Sequence, residues 1–90
     1  MSTYIINYDL VKPGQNYDRL IEAIKSYQQV RHPLESCWII VSSQTPESII
    51  NYLKQFTDIN DKILVAKVGA PAAWIGMYET TTAWLQANLN

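Results

Sequence analysis

Tyr4-Ile5-Ile6-Asn7-Tyr8-Asp9-Leu10 is the stretch that decides the fold. Its residues alternate. Tyr4, Ile6, Tyr8 and Leu10 fall on one side of an extended chain, and Ile5, Asn7 and Asp9 on the other. One face is apolar throughout. The other brings an amide and a carboxylate to the strand end, just before the turn residues Lys12-Pro13-Gly14. A carboxylate in that place serves either chemistry or the capping of the turn.

After the turn, Asn16 reads as the N-cap of a helix over Tyr17–Gln28. Tyr17, Leu20, Ile21, Ile24 and Tyr27 keep helical spacing there, with Asp18 and Glu22 toward the positive N-terminal end. In Arg31-His32-Pro33-Leu34-Glu35 the proline suits an edge strand or a bulge. A short arm around Val30–Leu34 can pair with Cys37-Trp38-Ile39-Ile40-Val41, a run that reads as a strand buried on both faces. Thr45-Pro46-Glu47 starts a second helix, with Thr45 as N-cap and proline at the first helical position. Ile49, Ile50, Leu53 and Phe56 form its buried stripe. Asp58-Ile59-Asn60-Asp61 makes a turn, and Lys62–Val68 makes the last clear strand. Residues 1–70 are the core of one domain, and 71–90 are a tail. In that tail Thr81, Trp84, Leu85 and Leu89 are spaced as a helix from about Tyr78.

The order is β-α-β-β-α-β with an added C-terminal helix, an α+β chain of the ferredoxin-like sandwich type. Such a sheet packs both helices on one face. Yet Cys37, Ile39 and Val41 oppose Trp38 and Ile40, while Leu64, Ala66 and Val68 oppose Ile63 and Val65. The second face therefore needs a cover too. Trp84, Leu85 and Leu89 of the tail can supply it, and so can a second subunit.

Composition bounds the function. Ninety residues make one domain, small enough that dimerisation is a common source of extra stability. Charged residues make up 17%, below the roughly one quarter usual in globular domains. That points to apolar surface covered by a partner. Six Tyr and three Trp against one Phe suit half-buried and interfacial positions. A net charge of −1, with no basic run, argues against non-specific nucleic-acid binding. A single cysteine excludes an intrachain disulfide and a Cys-based zinc site. No secretory leader precedes the first strand, and no apolar run approaches membrane-spanning length, so a cytoplasmic protein without membrane contact is expected.

Few residues are placed for chemistry. Asp9 is either a metal-holding carboxylate, completed by Asp9 of a second chain, or a cap for the turn after the strand. His32 has no partner nearby in sequence and reads as a solvent-facing or locally bonded ring rather than an acid–base group. Cys37, inside an apolar strand, reads as a buried thiol. Glu35 and Ser36 can join Asp9 across strands, or Glu35 can guard an edge. Trp38, Trp74 and Trp84 read as core and interface residues rather than base-stacking platforms. The acids around Asp58 and Asp61 lack the glycine and glutamate of a calcium loop, and the three glycines are isolated, so no phosphate-cradling loop exists.

Tyr4 to Leu10, the helix after it, Glu35-Ser36-Cys37-Trp38, the second helix and Asp61-Lys62-Ile63-Leu64-Val65 together resemble the second CRISPR adaptation protein. That small protein bridges the integrase in spacer acquisition, and some members are metal-dependent nucleases. The chain resembles more closely a group of short bacterial proteins carried under the label SinR family. The likeness lies in its opening strand, Glu22-Ala-Ile-Lys-Ser26, His32-Pro-Leu-Glu-Ser36 and Ala72-Ala-Trp74. That label borrows the name of a helix-turn-helix repressor, a motif this sequence does not contain.

The resemblance implies a ferredoxin-like fold and a homodimer. It implies that Asp9 is the catalytic and metal-holding residue, with magnesium or manganese. It maps the serine and aromatic before the second helix onto Ser36 and Trp38, and it makes Lys12, Arg19 and Ser36 the residues facing nucleic acid. The match spans about the first two-thirds of the chain. Lys12-Pro13-Gly14 stands where arginines commonly follow the aspartate, and the tail is helical where the CRISPR family adds a strand. The expected function is a dimeric scaffold or interaction module with a protein or nucleic-acid partner. The alternative is a metal-dependent nuclease with Asp9 of each subunit at the dimer interface.

Overall fold

The alternating stretch becomes a central strand. The computed structural model describes residues 1–11 and 17–89. The turn expected at Pro13-Gly14, the N-cap at Asn16 and the candidate Lys12 lie outside the described residues. In chain order come β1 (Ser2–Asp9), α1 (Asp18–Lys25), β2 (Gln29–Leu34), β3 (Cys37–Ser42), α2 (Pro46–Leu53), β4 (Lys62–Lys67) and α3 (Glu79–Asn88). A 3₁₀ turn at Lys54–Phe56 continues α2. The result is a small α+β domain around a four-stranded antiparallel sheet in the order β2-β3-β1-β4. Helices join β1 to β2 and β3 to β4, and each of these connections passes over one intervening strand. No helix among the described residues is long and apolar enough to cross a membrane.

The two faces of β1 have different partners. Tyr4 and Ile6 join Trp38 and Ile40 of β3 in a core closed by Leu20, Ala23 and Ile24 of α1 and Ile49 and Leu53 of α2. Both helices thus lie on the face predicted to be fully apolar. Burying that many branched side chains is the main stabilising contribution in a domain of this size. The opposite face holds Thr3, Ile5, Asn7 and Asp9, and α3 covers part of it. Thr3 Oγ1 donates to the Asn88 carbonyl at 2.8 Å, and the Arg31 guanidinium stands 5.2 Å over the Trp84 ring. Leu85 is buried. Ile39 and Cys37 on this face are buried as well, so β3 is enclosed on both sides as its composition predicts. The cover stops short of β4. Leu64 is 60% exposed, and Asn7 and Asp9 beside it are exposed.

Local rules account for most boundaries. Thr45 caps α2, its hydroxyl accepting from the Ser48 N–H at 3.1 Å with Pro46 at the first turn. Thr45→Ala is expected to cost about 1 kcal/mol, read as a lower urea midpoint at unchanged slope. Thr45→Ser should restore most of the loss. β2 is an edge strand, and its register with β3 shifts between Arg31 and Leu34, around Pro33. The first helix is shorter than its periodicity predicts and ends at Lys25 rather than Gln28. Ser26 Oγ donates back to the Ala23 carbonyl at 2.6 Å, a side-chain bond that competes with helix continuation. Gln29 is then already paired with Val41. The first strand runs Ser2–Asp9 rather than Tyr4–Leu10, because Ser2 finds a partner in Ser42.

Candidate functional site

Asp9 closes β1 at one end of the sheet, with its residue exposed to solvent. Three chain segments meet there. The Tyr8 N–H donates to the Ser36 carbonyl at 3.1 Å, bringing the β2–β3 turn alongside. Lys62, the first residue of β4, stands opposite Asp9 in register, and Leu64 stands opposite Asn7. Asn7, Asp9, Lys62 and Leu64 line a shallow depression of about 370 Å³ with Tyr8 and Ile63. Ser36 is therefore delivered to the Asp9 end of the sheet. Arg19 is not in that depression. It lies on α1 and lines a separate groove with Tyr52 and Phe56.

The helix-side rim of this end is aromatic. Trp38 Nε1 donates to the Tyr8 hydroxyl at 3.1 Å. The His32 ring stacks on Trp38, centroids 3.8 Å apart and planes 5° from parallel. His32 Nε2 lies 2.9 Å from the Glu35 carbonyl. A carbonyl can only accept, so Nε2 carries the proton in this contact. His32 is thus the solvent-facing, locally bonded ring that its sequence context suggests, its partner a backbone carbonyl three residues on. Trp38 is buried, with its Nε1 edge bonded to Tyr8 and a ring face covered by His32, so its ring is not a free stacking platform. Trp74 and Trp84 are half-buried, and Trp74 Nε1 donates to Thr82 Oγ1 at 3.2 Å. Burial pushes the Cys37 thiol above its usual pKa, which disfavours the thiolate that nucleophilic chemistry needs.

A carboxylate that sequence reasoning treats as part of a turn has the larger structural share. Asp61 Oδ1 accepts from the Val11 N–H at 3.0 Å and from the Tyr17 hydroxyl at 2.9 Å. Its Oδ2 accepts from the Asp58 N–H at 2.8 Å. The N–H of Val11, just past β1, is thus held by Asp61 rather than by the nearer Asp9. Only the Asp58 contact is local and visible in a turn-forming pattern. The other two bridge 50 and 44 residues and leave no sequence signal.

The donor set around Asp9 fits a divalent cation poorly. Such ions want several oxygen ligands at once. Asp9 brings one carboxylate and Asn7 one amide oxygen, and Lys62, the cross-strand neighbour of Asp9, lines the same depression and brings a positive charge that opposes a second one. Doubling the site by a two-fold axis doubles the lysines too. Comparison of the chain with protein-family models, with curated proteins and with solved structures finds no match.

Proposed function

We propose that this chain is a non-catalytic interaction module, a CRISPR-adaptation-like scaffold that works as a homodimer. Its fold is read as the ferredoxin-like sandwich. The antiparallel order β2-β3-β1-β4, with both helical connections passing over one strand, supports that reading. The observation that carries the role is the strip of the second sheet face that α3 leaves open, with Leu64 60% exposed on β4. A large apolar side chain standing out from a sheet face is the kind of surface a partner covers. The strip also pairs Asp9 with Lys62, one charge of each sign, which suits a self-complementary interface. A net charge of −1 favours protein over nucleic acid as a further partner.

Two measurements test this. Light scattering on the purified chain should return the mass of two chains; the mass of one chain removes the dimer. Incubation with single-stranded RNA and double-stranded DNA, with magnesium or manganese, should leave both substrates intact. Metal-dependent cleavage that disappears in Asp9→Asn would establish the nuclease instead.

A further inference from the structure

We infer that β4 pairs edge to edge with β4 of a second copy, antiparallel about a two-fold axis at Leu64, so that the two sheets become one. The inference rests on the homodimer proposed above and places its contact at the backbone edge of β4, beside the open strip rather than over it.

The two edges of the sheet differ. β2 is blunted by Pro33 and by the register shift between Arg31 and Leu34, features that discourage strand addition. β4 has neither. It stays in unbroken register with β1 from Lys67 opposite Tyr4 to Lys62 opposite Asp9. As the last strand in the sheet order, it turns its other backbone edge away from every other strand among the described residues. Open depressions border it on both faces. One lies over Leu64, and others lie beside Val65 and Ile63 where α2 presents Ile50.

The strand matches its own copy. A two-fold axis perpendicular to the sheet keeps each residue on its own face, so residues whose numbers sum to an even value oppose one another. Centred on Leu64, Leu64 meets Leu64, Ile63 meets Val65, and Lys62 meets Ala66. Lys67 then stands opposite Asp61, a cation against an acid, and no lysine faces a lysine. Centred on Val65 instead, Lys67 would face Ile63, and the charge match is lost. Lysines on an edge ordinarily deter pairing. Here they sit only at the two ends, Lys62 and Lys67, with Ile63 to Ala66 between them. The Leu64 axis also buries the most exposed apolar residue of the strand against itself.

Leu64→Cys tests the geometry. Directly opposed residues of antiparallel strands have Cα atoms about 4.5–5.5 Å apart, within the span a disulfide bridges. The variant should cross-link to a covalent dimer under a mild oxidant such as copper phenanthroline, with Cys37→Ala in the background removing the buried native thiol. Leu64 is largely exposed, so the change should not impair folding. Leu64→Lys should halve the mass measured by light scattering. A native dimer whose Leu64→Cys form does not cross-link, and whose Leu64→Lys form stays dimeric, overturns β4 pairing and leaves the homodimer standing elsewhere. A monomeric native chain overturns both. A mass above one chain that appears only with a second protein species present assigns the edge to that protein and also overturns self-pairing.

Discussion

Trp38→Ala is expected to destabilise the domain by about 3–5 kcal/mol, the usual cost of removing a buried large aromatic. Trp38 is 4% exposed and sits in the core cluster between β1 and the helix layer. Its removal leaves a cavity, strips the His32 ring of its stacking partner and takes the indole N–H from the Tyr8 hydroxyl. Against a total stability on the order of 5–15 kcal/mol for a small domain, that is a large share. At roughly 4–8 °C of Tm per kcal/mol, the midpoint should fall by well over 10 °C. Trp38→Phe keeps the stack and most of the volume and should lose clearly less. Urea unfolding followed by circular dichroism measures both. An alanine variant as stable as the native chain would mean that Trp38 is spared for recognition, the base-stacking role its burial argues against.

The second large effect belongs to Asp61. Asp61→Ala removes the acceptor for the Val11 N–H, the Tyr17 hydroxyl and the Asp58 N–H together. Hydrogen bonds to a charged group contribute about 1.5–3 kcal/mol each, but these share one carboxylate and are partly exposed, so they do not add. A loss of about 2–4 kcal/mol is expected after that discount. The carboxylate ties the start of α1 and the chain leaving β1 to the loop before β4, so amide exchange should rise first at those places. Asp61→Asn keeps Oδ1 as acceptor for Val11 and Tyr17 and should recover part of the loss. Asp9→Asn is the matched control. Asp9 is exposed at a strand end, and its change should stay within about 0.5 kcal/mol. Equal losses in the two variants would mean that Asp9 holds as much structure as Asp61 does.

The contrast between these aspartates marks the limit of what the candidate site reveals in advance. Asp9 stands out in sequence because it ends an alternating run, and that run is where it should be. What it faces is set by β4, more than fifty residues away, which places Lys62 opposite it. Ser36 does reach the same end of the sheet, through the backbone bond between Tyr8 and Ser36. Arg19 does not line that end, because the helix that carries it packs on the other side of the sheet and turns its exposed residues to a different groove. His32 follows the same rule: its stack on Trp38 depends on how the β2–β3 hairpin closes around Pro33, which composition does not encode.

The sequence alone determined the elements and their inward faces. Period-two alternation marked β1, a doubly apolar run marked β3, and the Thr45-Pro46 cap with its stripe marked α2. Each is legible because it depends on residues a few positions apart, where backbone geometry imposes a fixed repeat. What lies against the second face is set by long-range packing. The two-sided apolarity of β3 and β4 demanded a cover without naming it. α3 covers the β2–β3 side through Leu85, Trp84 and the Asn88 carbonyl, and stops before Leu64. Hydrophobic burial has no direction and accepts any apolar surface. Which surface arrives depends on chain length, register and the path of the tail, and these are properties of the whole fold.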